Sequence, residues 1–447
     1  MEFLLLDSLG GTMEKNILIS VLMVNYNKED VIAETIESVL GQSYKNIQFI
    51  IVDDGSTDRS ADIIREYAER DQRIESYLCK ENKKVCAVTN FGYKKVKGEY
   101  LARIDSDDTW VPEKLEKQLE FMLAHEDCEI CFTGANIIDE NSRLINDLEP
   151  MLDYMCNLPE MSTEENLRWL FSRGNYLAQT TVMMKTKFRE VLGEFNLAYG
   201  QLHDYEYWVR AAKKTHIYKM PERFTNWRRF QHEREKNMSS SSREAQIRMM
   251  NESVLISSHF FDDMPDELFS RAFRCMFQNP EAASPEEYAC EKAFLLCGKY
   301  KLKELYQPIP GIFALERLMG EPKYQQILQD VYQYLPSHFY RELTQHLFMD
   351  KYIQEEMEEK DYKIQLIWTA KTEAEEANRI LEKRLAAAEE QIKKNQELME
   401  ETELLSIELE KVKAQNKELQ KTLGTISESK SWKLTAPVRH MLDKLKK

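Results

Sequence analysis

The chain has 447 residues, about three times a typical single domain, so two or three folding units are expected. Its 43% hydrophobic content excludes a wholly disordered chain, and only 12 Pro and 14 Gly exclude a collagen-like or linker-like one. The formal net charge of −16 argues against general nucleic-acid binding, and no apolar run is long enough to span a bilayer.

From the N-terminus, Phe3–Leu6 is too short for a signal-peptide core and lacks a basic flank. Met13 stands just before the first strand pattern, so residues 1–13 read as an extension. Ile17–Val24 is a near-continuous apolar run, as expected of a strand buried on both faces of a parallel sheet. Asn27 is placed to cap a helix over 29–40, with Ile32, Ile36, Val39 and Leu40 on one face. A second strand, Phe49–Val52, runs into Asp53-Asp54-Gly55-Ser56-Thr57-Asp58, a cluster of turn and cap residues. Ala61–Ile64 opens a helix, Ile74–Leu78 reads as a third strand, 85–96 as a helix and Tyr100–Ile104 as a fourth strand. That strand ends in Asp105-Ser106-Asp107-Asp108, and Trp110-Val111-Pro112 reads as the start of the next helix. Strands alternating with helices of this length imply a parallel α/β sheet.

Farther on, Ile130–Thr133 and Thr180–Met184 are strand-like, and 243–350 reads as helical with breaks at Pro280, Pro285 and Pro308. Residues 355–426 carry apolar positions at 3/4 spacing, from Ile364, Ile367, Leu381 and Leu385 to Leu405, Leu409, Val412 and Leu419. A register shift falls between Thr402 and Leu405. This predicts a coiled coil, whose usual purpose is self-association. The eight cysteines show no framework spacing, which suggests reduced thiols and a cytoplasmic setting. Cys128 and Cys131 lack a partner pair at zinc spacing, and alternation along a strand accounts for them better.

In open α/β sheets, ligands bind beyond the carboxyl ends of the strands. Here three strands end in Asn25-Tyr26-Asn27, Asp53-Asp54 and Asp105-Ser106-Asp107-Asp108. Carboxylates repel a phosphate but can hold ribose hydroxyls and a divalent cation, and that cation can bridge to a diphosphate. Tyr26 can stack on a base. No Gly-x-Gly-x-x-Gly follows the first strand, which argues against a dehydrogenase-type dinucleotide fold. Nor is there the basic glycine-rich phosphate loop that a nucleotidyltransferase would require.

Taken in order, Val21–Asn27, Thr35–Tyr44, Ile50–Asp58, Lys97–Tyr100 and Asp105–Trp110 resemble the inverting glycosyltransferases of family 2. The resemblance implies a GT-A nucleotide-diphospho-sugar transferase fold, an α/β domain with a mostly parallel sheet flanked by helices. It implies that Tyr26, Asp53 and Asp54 bind the nucleoside, and that Asp105 and Asp107 bind ribose and a Mn²⁺ or Mg²⁺ on the diphosphate. It also implies that Asp204, within His203–Arg210, is the general base for inverting transfer. Trp227–His232 and Asn237–Ser239 are similar to a family segment that closes over the diphosphate. Its cations, Arg228 and Arg229, would offset charge on the leaving group, and His232 would be a metal or phosphate ligand. The sequence departs from the pattern at Val24, at Glu81–Val85 and at His203, where the family usually has Glu.

The expected organisation is an extension over 1–13 and a transferase domain over 14–240, with a nucleotide-binding half (14–128) and an acceptor half (129–240). A helical region over 241–352, a coiled coil over 353–426 and a basic tail over 427–447 follow. The tail resembles a stretch that follows coiled coils in bacterial polysaccharide glycosyltransferases. Residues 430–447 carry six Lys/Arg against Asp443, with Trp432, Leu434, Val438, Met441, Leu442 and Leu445, a composition suited to an anionic membrane surface. The expected partners are a nucleotide-diphospho-sugar donor, a glycan or lipid-linked glycan acceptor and a second copy of the chain. Location at the inner face of the membrane and no nucleic-acid partner are expected as well. The alternative is a catalytically silent coiled-coil protein that organises a polysaccharide-synthesis complex.

Overall fold

A computed structural model of the chain describes residues 17–231, 243–298, 309–344, 351–392 and 399–428. The expected N-terminal extension, His232 and the tail from 429 onward lie outside the described residues. The chain divides into two compact units, Met1–Tyr340 and Arg341–Lys447.

The first unit is built on one eight-stranded sheet. Its strands are β1 (Ile19–Asn25), β2 (Ile47–Asp53), β3 (Ile74–Leu78), β4 (Tyr100–Asp105), β5 (Thr109–Trp110), β6 (Ile130–Ile138), β7 (Met183–Lys185) and β8 (Tyr218–Arg228), in the spatial order β3-β2-β1-β4-β7-β6-β8-β5. β3, β2, β1 and β4 are mutually parallel, and β7 and β5 run against the other strands. The continuous apolar runs have a direct cause, because both faces of these strands are covered. Side chains alternate across the sheet. Leu22, Ile50 and Leu101 enter one core with Val88 and Tyr93 of the helix Val85–Tyr93. Val21, Met23, Phe49, Ile51 and Ile104 enter the other with Ile32, Ile36 and Val39 of the helix Ile32–Leu40 and Leu115 and Leu119 of the helix Lys114–Ala124.

Two local expectations are corrected. Asn27 does not cap the first helix, which starts at Ile32. It sits at a left-handed φ of +52°, and its Oδ1 accepts a hydrogen bond from Thr57 N at 2.8 Å, which joins the loops after β1 and β2. Trp110 does not open a helix; it lies in β5 and pairs with Thr225 of β8, its indole N–H donates to Thr180 O at 2.9 Å, and the helix begins only at Lys114. β8 was not anticipated because Pro221 and charged neighbours interrupt its pattern. A bulge in β8, between Lys219 and Thr225 where it faces Phe132–Ala135 of β6, absorbs that irregularity.

The helices Arg243–Ser258 and Asp266–Phe273 pack into the first unit, where Ile256, Phe260, Phe269 and Phe273 join the core that holds Leu22 and Ile50. In the second unit, the helices Lys351–Ile392 and Met399–Glu428 pack on one another through Leu381 and Leu409, with Leu385 and Val412 beside them. The heptad pattern is therefore partly satisfied within one chain. Among the described residues, no helix is long and apolar enough to cross a membrane.

Candidate functional site

The register of the parallel strands sets the frame. Asn25 at the end of β1 is paired with Asp53 of β2, and its neighbour Val24 is paired with Asp105 of β4. The two acidic strand ends thus flank β1, roughly 10 Å apart at two strand spacings.

On the β2 side, Asp53 is fully engaged in shaping the loop. Its oxygens accept from Asn25 Nδ2 (2.8 Å), Ser56 N (2.9 Å) and Ser56 Oγ (2.6 Å). Asp54 is also buried, and its Oδ1 accepts from Lys83 N at 2.6 Å. Burial raises its proton affinity, while the backbone N–H groups of Lys83 and Lys84 and the Lys84 charge oppose that rise. Gly55, at φ +72°, lets this turn press against the backbone of Glu81 and Asn82, and Lys84 adopts a left-handed φ of +71°. The Glu81–Val85 stretch therefore supplies without glycine a turn of the kind that glycine favours. Tyr26 stands at the rim, 44% exposed.

On the β4 side, the loop Asp105–Asp108 is braced from several directions. Thr35 Oγ1 donates to Ser106 O (3.0 Å). Arg228, whose side chain is wholly buried, donates through Nε to Asp107 O (2.7 Å) and through its other guanidinium nitrogens to Asp139 O, Ser142 Oγ and Glu34 Oε2, while its backbone N–H bonds Asp108 Oδ1. The guanidinium of Arg228 is thus spent on holding the loop, which corrects its expected role beside a leaving group. Arg103 lies beneath the loop, 3.8 Å from Asp105 Oδ1. Lys28 Nζ sits 2.7 Å from Asp107 Oδ2 and over the ring of Phe230.

Asp204 joins this group from the helix His203–Ala212. Its Oδ2 accepts from Asn175 Nδ2 (2.8 Å) and its Oδ1 from Tyr205 N (2.7 Å). Gln179, four residues beyond Asn175, donates to Asp105 Oδ1 at 3.3 Å, so one short segment holds both carboxylates. Burial pushes the Asp204 carboxyl up to about 7 against the Tyr205 N–H, and the nearby Asp105 charge adds to the rise. Asp105 is itself raised, first by its surroundings and then, against the pull of Arg103, by Asp107. The imidazole of His203 is buried, and burial together with Arg103 pushes it down to about 3, so it is neutral at physiological pH. The structure brings Asp105, Asp107 and Asp204 together and leaves Asp53, Asp54 and Tyr26 on the β1–β2 side.

Two carboxylates two residues apart on one loop suit a hard divalent cation that takes its remaining oxygens from water and substrate phosphates. Among the described residues, no group of three or more His, Cys, Asp or Glu is arranged to hold a metal by itself. The fit is therefore to a half-site. Lys28, Arg103, Asn175 and Gln179 were not singled out by sequence reasoning as parts of this site. The one available signal was a polar cluster, Asn175 and Gln179–Thr181, interrupting a largely apolar stretch.

The family described as "Glycosyl transferase family 2" matches residues 20–192, from β1 through β7. A Bacillus subtilis protein named as a teichuronic acid biosynthesis glycosyltransferase is 38% identical over 149 residues, 33% of this chain and 56% of that protein's length. An Escherichia coli protein named UDP-Glc:alpha-D-GlcNAc-diphosphoundecaprenol beta-1,3-glucosyltransferase is 32% identical over 200 residues, 44% of this chain and 71% of its own. The crystal structure of S. aureus TarS 1-349 in complex with UDP-GlcNAc aligns with 72% of this chain and 90% of that one, at TM-score 0.46 and 15% identity. With acidic strand ends in place and the E. coli relative, 32% identical, covered over 71% of its length, the chain belongs to glycosyl transferase family 2.

Proposed function

We propose that this chain transfers a sugar from a nucleotide-diphospho-sugar to a hydroxyl of a glycan or lipid-linked glycan, with inversion at the anomeric carbon. The observation that carries this reading is Asp204, a carboxylate held across from Asp105 with its proton affinity raised to about 7. A base of that strength is matched to accepting a hydroxyl proton near neutral pH. The acceptor oxygen attacks the anomeric carbon as the bond from that carbon to the diphosphate oxygen breaks, and the hydroxyl proton passes to the Asp204 carboxylate. Asn175 and Tyr205 N–H fix the orientation of that carboxylate.

Tyr26 and Asp54, framed by Asp53, are proposed to bind the nucleoside. Asp105 and Asp107 would hold a Mn²⁺ or Mg²⁺, with His232 a further candidate ligand; when bound, the ion neutralises charge on the departing diphosphate. The names of the relatives support an acceptor among envelope polysaccharides or their lipid-linked precursors. Self-association through the helices of the second unit, and contact of the basic tail with an anionic membrane face, are further parts of this proposal.

The test is a panel of UDP-, GDP- and dTDP-sugars offered to the full chain with Mn²⁺, read by nucleotide release and thermal shift. One donor should give both responses, and Asp107→Asn and Asp204→Asn should abolish release. Silence toward every nucleotide would overturn the proposal.

A further inference from the structure

We infer that Glu252, on the helix Arg243–Ser258, is a positioning residue for Asp204, so that the helical segment after the sheet takes part in setting the catalytic geometry. The inference rests on Asp204 being the base.

A helix begins with backbone N–H groups that have no partner within it. The helix that carries Asp204 begins at His203, and its N-cap residue, Leu202, provides no side-chain acceptor. The carboxylate of Glu252 instead holds the residues that lead into the helix. Its Oε1 accepts from Gly200 N (2.9 Å) and Gln201 N (3.1 Å), and its Oε2 from Gln201 N (2.9 Å) and Leu202 N (2.6 Å). Glu252 is 5% exposed, so these contacts form away from water, where charge-assisted hydrogen bonds are strong. Its negative charge also faces the positive end of the helix dipole.

The consequence for Asp204 is geometric. Asp204 lies in the first turn, two residues after the last amide that Glu252 holds. The same approach is pinned from the sheet side, where Cys86 Sγ contacts Tyr199 O and Asn90 exchanges hydrogen bonds with the backbone of Phe195. With Glu252 in place, the entry to the first turn is held, and the Asp204 carboxylate stays against Asn175. Glu252 touches none of the reacting atoms.

The test compares Glu252→Ala, Glu252→Gln and Asp204→Asn in the full chain. UDP with Mn²⁺ serves as the binding probe, and the donor found by the panel serves for turnover. Glu252→Ala should lower kcat by about 10- to 100-fold, the scale of an ångström-level misplacement. The Kd for UDP should change less than about twofold, and exchange of the Gly200, Gln201 and Leu202 amides should quicken by at least about tenfold. Glu252→Gln keeps an acceptor oxygen and should restore most of the turnover. The inference is overturned if Glu252→Ala loses amide protection yet keeps kcat, or if kcat and UDP affinity fall together as in a general loosening of the fold. Turnover that survives Asp204→Asn would instead remove the base assignment itself.

Discussion

Asp204→Asn should remove activity, while its effect on stability should depend on pH. A carboxyl that titrates near 3.8 when unfolded and at about 7 when folded keeps its proton longer in the native state. The native state is therefore favoured least once pH exceeds the folded value: stability falls as pH rises from about 4 to about 7 and stays lower above. The full interval corresponds to about 4 kcal/mol at about 1.4 kcal/mol per pH unit. The side chain is half-buried and keeps part of its hydration, so about 2 kcal/mol is the working magnitude. Asparagine removes that penalty but cannot accept from both Tyr205 N and Asn175 Nδ2, which costs about 1 kcal/mol. The variant should thus be only about a few tenths of a kcal/mol less stable than the parent at pH 5, where about a third of the penalty is already present, and about 1 kcal/mol more stable at pH 8.5. Urea denaturation at the two pH values measures this directly. Sugar transfer by the parent should rise about tenfold per pH unit below about 7 and level off above, and the variant should show no such limb. A stability difference that is the same at both pH values, or a flat parent profile between pH 5 and 9, would refute the reasoning.

Lys28→Met removes the cation 2.7 Å from Asp107, leaving Asp105 and Asp107 freer to attract a metal. Mn²⁺ binding, followed by electron paramagnetic resonance, should tighten about three- to tenfold, and weaker binding would show that Lys28 does not compete for this carboxylate. Gly55→Ala places a Cβ 2.8 Å from the carbonyl carbon of Glu81 at a φ of +72°. The strain, about 1–2 kcal/mol, should move the Glu81–Lys84 turn off Asp54 and weaken UDP binding by about tenfold in calorimetry. Unchanged affinity would separate that turn from the nucleoside site.

Much of the architecture was written locally. The runs at β1, β2 and β4 are apolar because both sheet faces are covered, so hydrophobicity alone located those strands, and the Asp and Asn residues that end them marked the edge where a ligand can bind. Asp204 was legible only by resemblance, since a carboxylate in the first turn of a helix is equally a cap. What tertiary structure decided are the pairings between distant segments. Arg228 reads as a cation for the leaving group, and only the approach of β8 to the Asp105–Asp108 loop buries it and turns it into a brace. Asn175 and Gln179 reach Asp204 and Asp105 because the segment after the helix Thr163–Arg173 crosses the cleft. Glu252 holds the entry to a helix some fifty residues before it. Short-range patterning reports periodicity and turn chemistry, which act over a few residues. The proton affinity of a catalytic carboxylate depends on burial and on charges brought alongside it by the completed fold.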